Sequence, residues 1–409
     1  VSPARVVTLR YHPRMKFRLH AARALFGLVL GLSLACSSTP SILLAERTRR
    51  AAQATQILPS QTPRPVATAT SNATSPPAPS PTSQVRRVGP SGFAADVDPL
   101  TGLKVESPAL LERRPVGLEV ANFPVGIRPQ SGLSLADLVF EHATGQGTSR
   151  FLAFYYGRNA PSAGPITSGQ WVDGELVRLF RGLLGVSGVI PEVDETLRSQ
   201  LPGRLFNAGP SLCPGLCPQG PGTANTVFAD TAALSHHVNQ LTNGGIRPDL
   251  DGYVFDAGVP AGGEIADSLR VVYAHLNRVG WDFDSDSGAY LRSQDQGDSR
   301  LVPATDALTG EQLAFQNIIV LFAPHTAVQP NLLDISLWYE PARPLLLLRS
   351  GRLYRGTWSV EDVDSPLRWL DANGIPLALA PGSTWIEIVS VESQVSQPDS
   401  GQWQVDFAP

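Results

Sequence analysis

Between Ser37 and about Gly92 the chain carries no periodic apolar face, and this break most constrains what it can fold into. The stretch QTPRPVATATSNATSPPAPSPTSQ is built mostly from Pro, Ser, Thr and Ala. Such a composition cannot bury enough surface to offset chain entropy, and its prolines keep it extended. Residues 36–92 therefore read as a disordered tether, and any packed core must come from the residues C-terminal to it. Asn72-Ala73-Thr74 in this stretch matches a glycosylation acceptor but gets little weight beside the bacterial signal that precedes it.

That signal begins at Met15, the only methionine. Lys16, Arg18 and Arg23 form a positive segment, and Ala24 to Ala35 is uncharged and mostly apolar. At 1.5 Å per residue this run is too short to span a bilayer comfortably. Ser33-Leu34-Ala35-Cys36 then places a cysteine after small residues, the layout of a lipoprotein signal peptide over residues 15–35. Ser33 stands where such signals usually carry Leu. Cys36 is the expected lipidation site, and residues 1–14 read as upstream sequence wrongly translated. Each buried CH₂ contributes ~0.8 kcal/mol, so several acyl chains on Cys36 would hold the protein to the lipid bilayer. The expected location is the outer face of the bacterial cytoplasmic membrane, with the body outside the cytoplasm.

The charge is uneven along the chain. Residues 1–91 carry 12 of the 32 basic residues and one of the 36 acidic ones, Glu46. The remainder holds 20 basic against 35 acidic residues, about −15. A body this acidic is repelled by phosphate backbones, so no nucleic-acid partner is expected.

From about Ala94 the texture becomes that of a folded body. Pro115 to Asn122 and Ser149 to Tyr156 read as strands, and Leu135 to His142 as strand or short helix. Glu175 to Leu184 has apolar residues at helical spacing, with Arg178 and Arg181 on the other face, and Thr231 to Leu241 reads as helix. The Pro/Gly-rich residues 202–223 read as loop. Further on, Leu269 to Val272, Trp281 to Arg292, Leu313 to Phe322, Leu332 to Tyr339, Leu345 to Leu353 and Ser383 to Val391 read as strands. Turns are expected at Asp284 to Gly288 and Asp371 to Gly374. The expected fold class is α+β, a mixed α/β N-terminal lobe with a smaller β-rich C-terminal lobe.

Several stretches occur in a telling order: DPLTGLKV, RRPVGLEVANFP, RPQSGLSLADLVFE, TSRFLAFY and GPITSG, then WDFDSDSGAYLR, TGEQLAFQNIIVLF, GRLYRGTWS and PGSTWIEIV. Together they resemble the YerB-like lipoprotein family of bacteria, over roughly Asp96 to Val391. RPQSGL followed by Ala-Asp and then Glu is the most specific part. The resemblance implies an N-terminal domain over 93–245 and a C-terminal domain over 246–393; the tail over 394–409, ending in GQWQVDFAP, reads as an added edge strand or a frayed end. The resemblance implies a surface lipoprotein and no particular reaction. Asn122, Arg128, Pro129, Gln130, Ser131, Gly132, Ala136, Asp137, Glu141, Arg150, Gly164, Pro165 and Ser168 stand on matching positions. Three places depart from the family pattern. Ala121 replaces an Asp, Ile166 to Gln170 lacks two Arg, and Gly185-Val186-Ser187-Gly188 replaces His-Gly-Gly-Ser.

Arg128, Gln130, Asp137, Glu141 and Arg150 form the best polar constellation, with Asn122, Ser131 and Ser168 beside it as candidate ligand-binding residues. The arginine fork suits carboxylate or phosphate, and Gln130 can orient a carbonyl or amide. An internal salt-bridge network, with Arg128 or Arg150 tied to Asp137 or Glu141, is the competing use of the same residues. Cys213 and Cys217 enclose a Pro-Gly turn and are expected to form a local disulfide. Asp282, Asp284 and Asp286 lack the glycine and glutamate placement of a calcium loop. The histidines are scattered, and His142 and His325 read as isolated. Glu192, Asp194 and Glu195 read as a solvated turn. No nucleophile elbow, phosphate loop, metal-ligand set or cofactor motif is expected. The reading is a tethered module holding a cell-envelope ligand or envelope protein. The alternatives are a cell-wall hydrolase using Asp137 or Glu141, or a structural lipoprotein with a degenerate site.

Overall fold

The computed structural model describes residues 87–219, 225–241, 245–338 and 342–409. The signal peptide, Cys36 and the tether up to residue 86 lie outside the described residues.

The architecture depends on where the strands alternate and where they do not. The N-terminal segment supplies β1 (Val116–Ala121), β2 (Leu138–Gly145), β3 (Thr148–Tyr155), β4 (Leu183–Val186) and β5 (Leu205–Asn207). The rest of the chain supplies β6 (Ser268–Ala274), β7 (Asn277–Asp284), β8 (Ala289–Asp295), β9 (Leu301–Pro303), β10 (Asn317–Ala323), β11 (His325–Gln329), β12 (Leu332–Ile335), β13 (Arg343–Arg349), β14 (Arg352–Ser359) and β15 (Arg368–Leu370). Near the end come β16 (Thr384–Ser390), β17 (Gln394–Asp399) and β18 (Gln402–Asp406). Three α-helices occur among the described residues, α1 (Trp171–Leu179), α2 (Pro191–Gln200) and α3 (Thr231–Leu241).

An eleven-stranded sheet has the order β15-β14-β13-β10-β16-β2-β3-β1-β4-β5, with a short strand on β14. Its central strands are buried along their whole length, as in β1 and β10, because both faces of the sheet are covered. A second sheet has the order β9-β8-β7-β6-β18-β17, with a short strand on β8. There β6 alternates, burying Leu269, Val271 and Tyr273 while the residues between are half-exposed. The second sheet packs on one face of the first through Trp281, whose ring lies 5.4 Å from that of Trp385.

The two expected lobes share one sheet. β2 of the N-terminal segment pairs in parallel with β16 of the C-terminal one, from Leu138 opposite Thr384 to His142 opposite Ile388. The large sheet therefore runs through both segments, and the described residues from 87 onward form one unit. The helices do fall before residue 245, as expected, so that the N-terminal segment is mixed, while strands dominate the described residues as a whole.

Local departures have local causes. The helix expected over Glu175 to Leu184 starts earlier and stops at Leu179, because Arg181 takes a left-handed conformation (φ 50°) and Leu183 enters β4. The expected solvated turn at Glu192 to Glu195 is the first turn of α2, which begins at Pro191; proline suits a first helical turn. The expected loop 202–223 contains β5, which pairs in parallel with β4. The tail adds two strands, and β18 pairs in parallel with β6, burying Trp403 and Val405.

Candidate functional site

β1, β2 and β3 lie side by side, and alternation sends their polar residues to opposite faces. The register puts Glu141 opposite Phe151 and Glu387, and His142 opposite Arg150, which also faces Ala121. Two separate polar clusters result.

Toward the second sheet, Glu141 is fully buried and pairs with Arg292 of β8 at 2.7 Å. Ser149 donates to the other Glu141 oxygen at 2.7 Å. Glu387 accepts from Tyr273 at 2.8 Å and from the Trp281 indole at 2.9 Å. Burial, then the charge of Glu141, pushes the Glu387 carboxyl up to about 8. Arg292 also lies over the Trp385 ring at 4.6 Å. The network continues outward. Gln294 donates to Asn122 Oδ1 at 2.8 Å, Asn122 donates to Ser149 at 2.9 Å, and Gln130 donates to the Ala121 carbonyl at 3.1 Å. Arg128 donates through Nε to Asn122 Oδ1 at 3.0 Å and through Nη1 to the Asp295 carbonyl.

The sequence-predicted constellation is thus divided. Arg128 and Gln130 border a cavity of about 180 Å³ with Gln294 and Thr305. Arg150 sits on the opposite face and donates to the Ser168 hydroxyl at 3.1 Å. Asp137 is buried, accepting from Tyr156 N–H at 2.6 Å and Gly157 N–H at 3.0 Å, with Arg158 at 3.6 Å. Ser131 donates to the Ser162 carbonyl at 2.5 Å. Glu141 is held by Arg292, not by Arg128 or Arg150. The arginine lies 151 residues from Glu141, too far along the chain to be paired with it by inspection.

On the helix side, Glu119 of β1, His142 of β2 and Asp173 of α1 meet, and His142 is not isolated. His142 Nε2 lies 3.3 Å from Glu119 Oε1 and 3.6 Å from Asp173 Oδ1, with all three side chains at most 1% exposed. Asp173 Oδ2 accepts the Gln170 N–H at 2.7 Å and closes the capping box of α1. Burial pushes the Glu119 carboxyl up to about 8 and holds the His142 imidazole below its usual range. Burial and the neighbouring Glu119 push Asp173 up. Sequence reasoning passed over Glu119 and Asp173. Their signal was a charged residue inside an otherwise apolar strand, as in PVGLEVAN, where burial without a partner is costly.

The three departures from the YerB-like pattern are also neighbours. Ala121 N–H donates to the Pro165 carbonyl at 2.9 Å, Thr167 N–H to the Glu119 carbonyl at 2.7 Å, and Ser187 N–H to the Thr167 carbonyl at 2.8 Å.

Another opening lies away from both polar clusters. A mostly apolar cleft of about 560 Å³ runs between the β2–β3 turn, the β11–β12 hairpin and the C-terminus. Gly145, Gln146, Tyr273, Val328, Leu333 and Phe407 line it. Gly145 (φ 96°) lets the turn approach this hairpin, since a Cβ there would lie 2.4 Å from the Pro330 carbonyl oxygen. Cys213 and Cys217 are disulfide-bonded with Cα atoms 5.1 Å apart. Asp284 caps the β7–β8 turn through Ser287, which explains the aspartate run.

Comparison with known proteins matches residues 100–213 to the N-terminal domain, and residues 269–386 to the C-terminal domain, of a "Protein of unknown function (DUF3048)". The chain belongs to this family. It is 29% identical over 305 residues to a Bacillus subtilis (strain 168) protein named "Putative lipoprotein YerB", covering 71% of this chain and 85% of that one. The crystal structure of YerB from Bacillus subtilis matches with a TM-score of 0.58 and 26% identity, over 72% of this chain and 96% of that chain. The continuous β2–β16 sheet joins the segments matched by the two family domains. No helix among the described residues is long and apolar enough to cross a membrane.

Proposed function

We propose that this chain is a lipid-anchored lipoprotein on the outer face of the cytoplasmic membrane, and that its body binds a small cell-envelope ligand through an apolar portion. The observation that carries the binding role is the apolar cleft of about 560 Å³, within the size range of small-molecule sites. The anchor reading is supported by the Met15 to Cys36 signal pattern and by the lipoprotein named among its relatives. Binding is favoured over hydrolysis by Asp137 or Glu141, because both carboxylates are buried and already engaged by backbone amides, Ser149 or Arg292. The Arg128–Gln130 cavity is about a third of the volume of the cleft, and Arg128 Nε and Nη1 are already engaged by Asn122 and the Asp295 carbonyl, leaving Nη2 alone without a partner.

The test is a thermal-shift screen of the body against cell-wall fragments, lipids, dicarboxylates and phosphates. A ligand at about 100 times its dissociation constant adds ~2.7 kcal/mol of stability. Ala327→Trp plugs the cleft from an exposed position and abolishes the shift, while Arg128→Ala leaves it in place. A shift lost in Arg128→Ala and kept in Ala327→Trp moves the site to the smaller cavity. For the anchor, metabolic labelling with a fatty acid reads incorporation that Cys36→Ala removes.

A further inference from the structure

We propose that Glu119, His142 and Asp173 form a divalent-cation site, for a borderline first-row ion of the Zn²⁺ or Mn²⁺ kind, that clamps α1 to the central sheet. The three ligand atoms lie within 4.8 Å of one another. Each belongs to a different element, so an ion between them would tie β1, β2 and the first turn of α1 together.

The polarity at the centre of the cluster is unmet. Both Glu119 oxygens, His142 Nε2 and Asp173 Oδ1 are buried without a hydrogen bond of good geometry, and the Glu119 and Asp173 carboxyls approach closely enough to share a proton in place of an ion. Buried carboxylates in folded proteins are paired, hydrogen-bonded or bound to metal. Here the other polar atoms are engaged and only those aimed at the common centre are not. Asp173 Oδ2 serves the Gln170 N–H, and a backbone hydrogen bond at Ala143 holds the His142 ring. Outer partners of this sort orient metal ligands.

The spacing also suits an ion. Zn²⁺ sits about 2.0–2.2 Å from nitrogen and oxygen ligands, which places tetrahedral ligands about 3.4 Å apart. The observed separations of 3.3 and 3.6 Å from His142 Nε2 bracket that value. An imidazole with two carboxylates suits zinc or manganese better than calcium or magnesium, which take oxygen sets.

Charge points the same way. Two carboxyl groups and an imidazole converge there, and the half-buried Arg150, whose charge also acts on the cluster, gives its hydrogen bond to Ser168. A dication cancels the two carboxylate charges. The competing occupant is a proton on Glu119, and the experiment separates the two.

The full chain, extracted from membranes in mild detergent without chelator, is analysed for metal by mass spectrometry. About one equivalent of zinc or manganese per chain is expected. Unfolding in chelator and refolding in metal-free buffer lowers the melting midpoint, and Zn²⁺ or Mn²⁺ restores it where Mg²⁺ and Ca²⁺ do not. Glu119→Gln keeps the side-chain shape; it is expected to lose the bound metal and its response to chelator. Wild-type protein with under about a tenth of an equivalent, and a midpoint indifferent to both chelator and Zn²⁺, overturns the proposal. A Glu119→Gln variant more stable than wild type also overturns it, since an amide then supplies the hydrogen that a protonated Glu119 would hold.

Discussion

Arg292 is 1% exposed, reaches Glu141 at 2.7 Å and stacks over Trp385, so a single guanidinium serves two adjacent carboxylates of the sheet centre. Removing one partner of a buried pair leaves the other charge without compensation, at a cost of about 3–5 kcal/mol. Arg292→Ala and Glu141→Gln are therefore each expected to lose stability of that order in urea unfolding, because either change leaves the other member of the pair buried without its partner. Glu175 makes a second prediction at this scale. Burial pushes its carboxyl up to about 8, although the Leu337 N–H donates to it at 2.8 Å. The folded state thus holds a proton that the unfolded chain releases near pH 4.5. The stabilisation is complete below about pH 4.5 and is lost as pH rises through about 8. Glu175→Gln should flatten that part of the stability profile, read by thermal melts from pH 4.5 to 8.5. Neither role is legible in the sequence. Arg292 stands in AYLR as one residue of a strand, and Glu175 appears as a polar position of a helix whose face toward Leu337 only the fold defines.

Elements are most legible where the signal is local. The β7–β8 hairpin is recognisable in WDFDSDSGAYLR because strand alternation and turn chemistry act within a few residues, and Thr231 to Leu241 is helical as its spacing predicts. The tail has no such pattern, since β18 is justified by its neighbour rather than by itself. Trp403 is 4% exposed, donates its indole N–H to the Ile265 carbonyl at 2.9 Å and sits opposite Leu269 in the register. Trp403→Ala should cost about 3–5 kcal/mol in chemical denaturation, as truncation of a large core aromatic does. Deleting residues 394–409 would strip the parallel partner from β6, leaving an open edge prone to intermolecular pairing. That variant should show raised aggregation in light scattering.

For the whole molecule, the two family segments cannot be treated as beads on a string. β16 lies between β10 and β2, so each segment completes the other's sheet. Fragments covering 87–245 and 246–409 are expected to be unfolded alone by circular dichroism and near-ultraviolet signal, and to regain structure when mixed or coexpressed. Two independently folded fragments would contradict a shared core.

By itself the sequence determined the basic-then-apolar order of residues before Cys36, the Pro/Ser/Thr-rich composition that follows, the strand-rich body and the family to which the chain belongs. Those features rest on neighbouring residues, where charge, periodicity and turn chemistry are written in order. Tertiary structure alone decided the pairing of β2 with β16, the placing of Arg128 and Arg150 on opposite faces, and the meeting of Glu119, His142 and Asp173. Alternation says that adjacent strand residues face opposite ways, but not which face meets a helix and which a second sheet. That choice depends on packing between segments far apart in the chain, and it turned Glu141 to Arg292 and its neighbour His142 to α1.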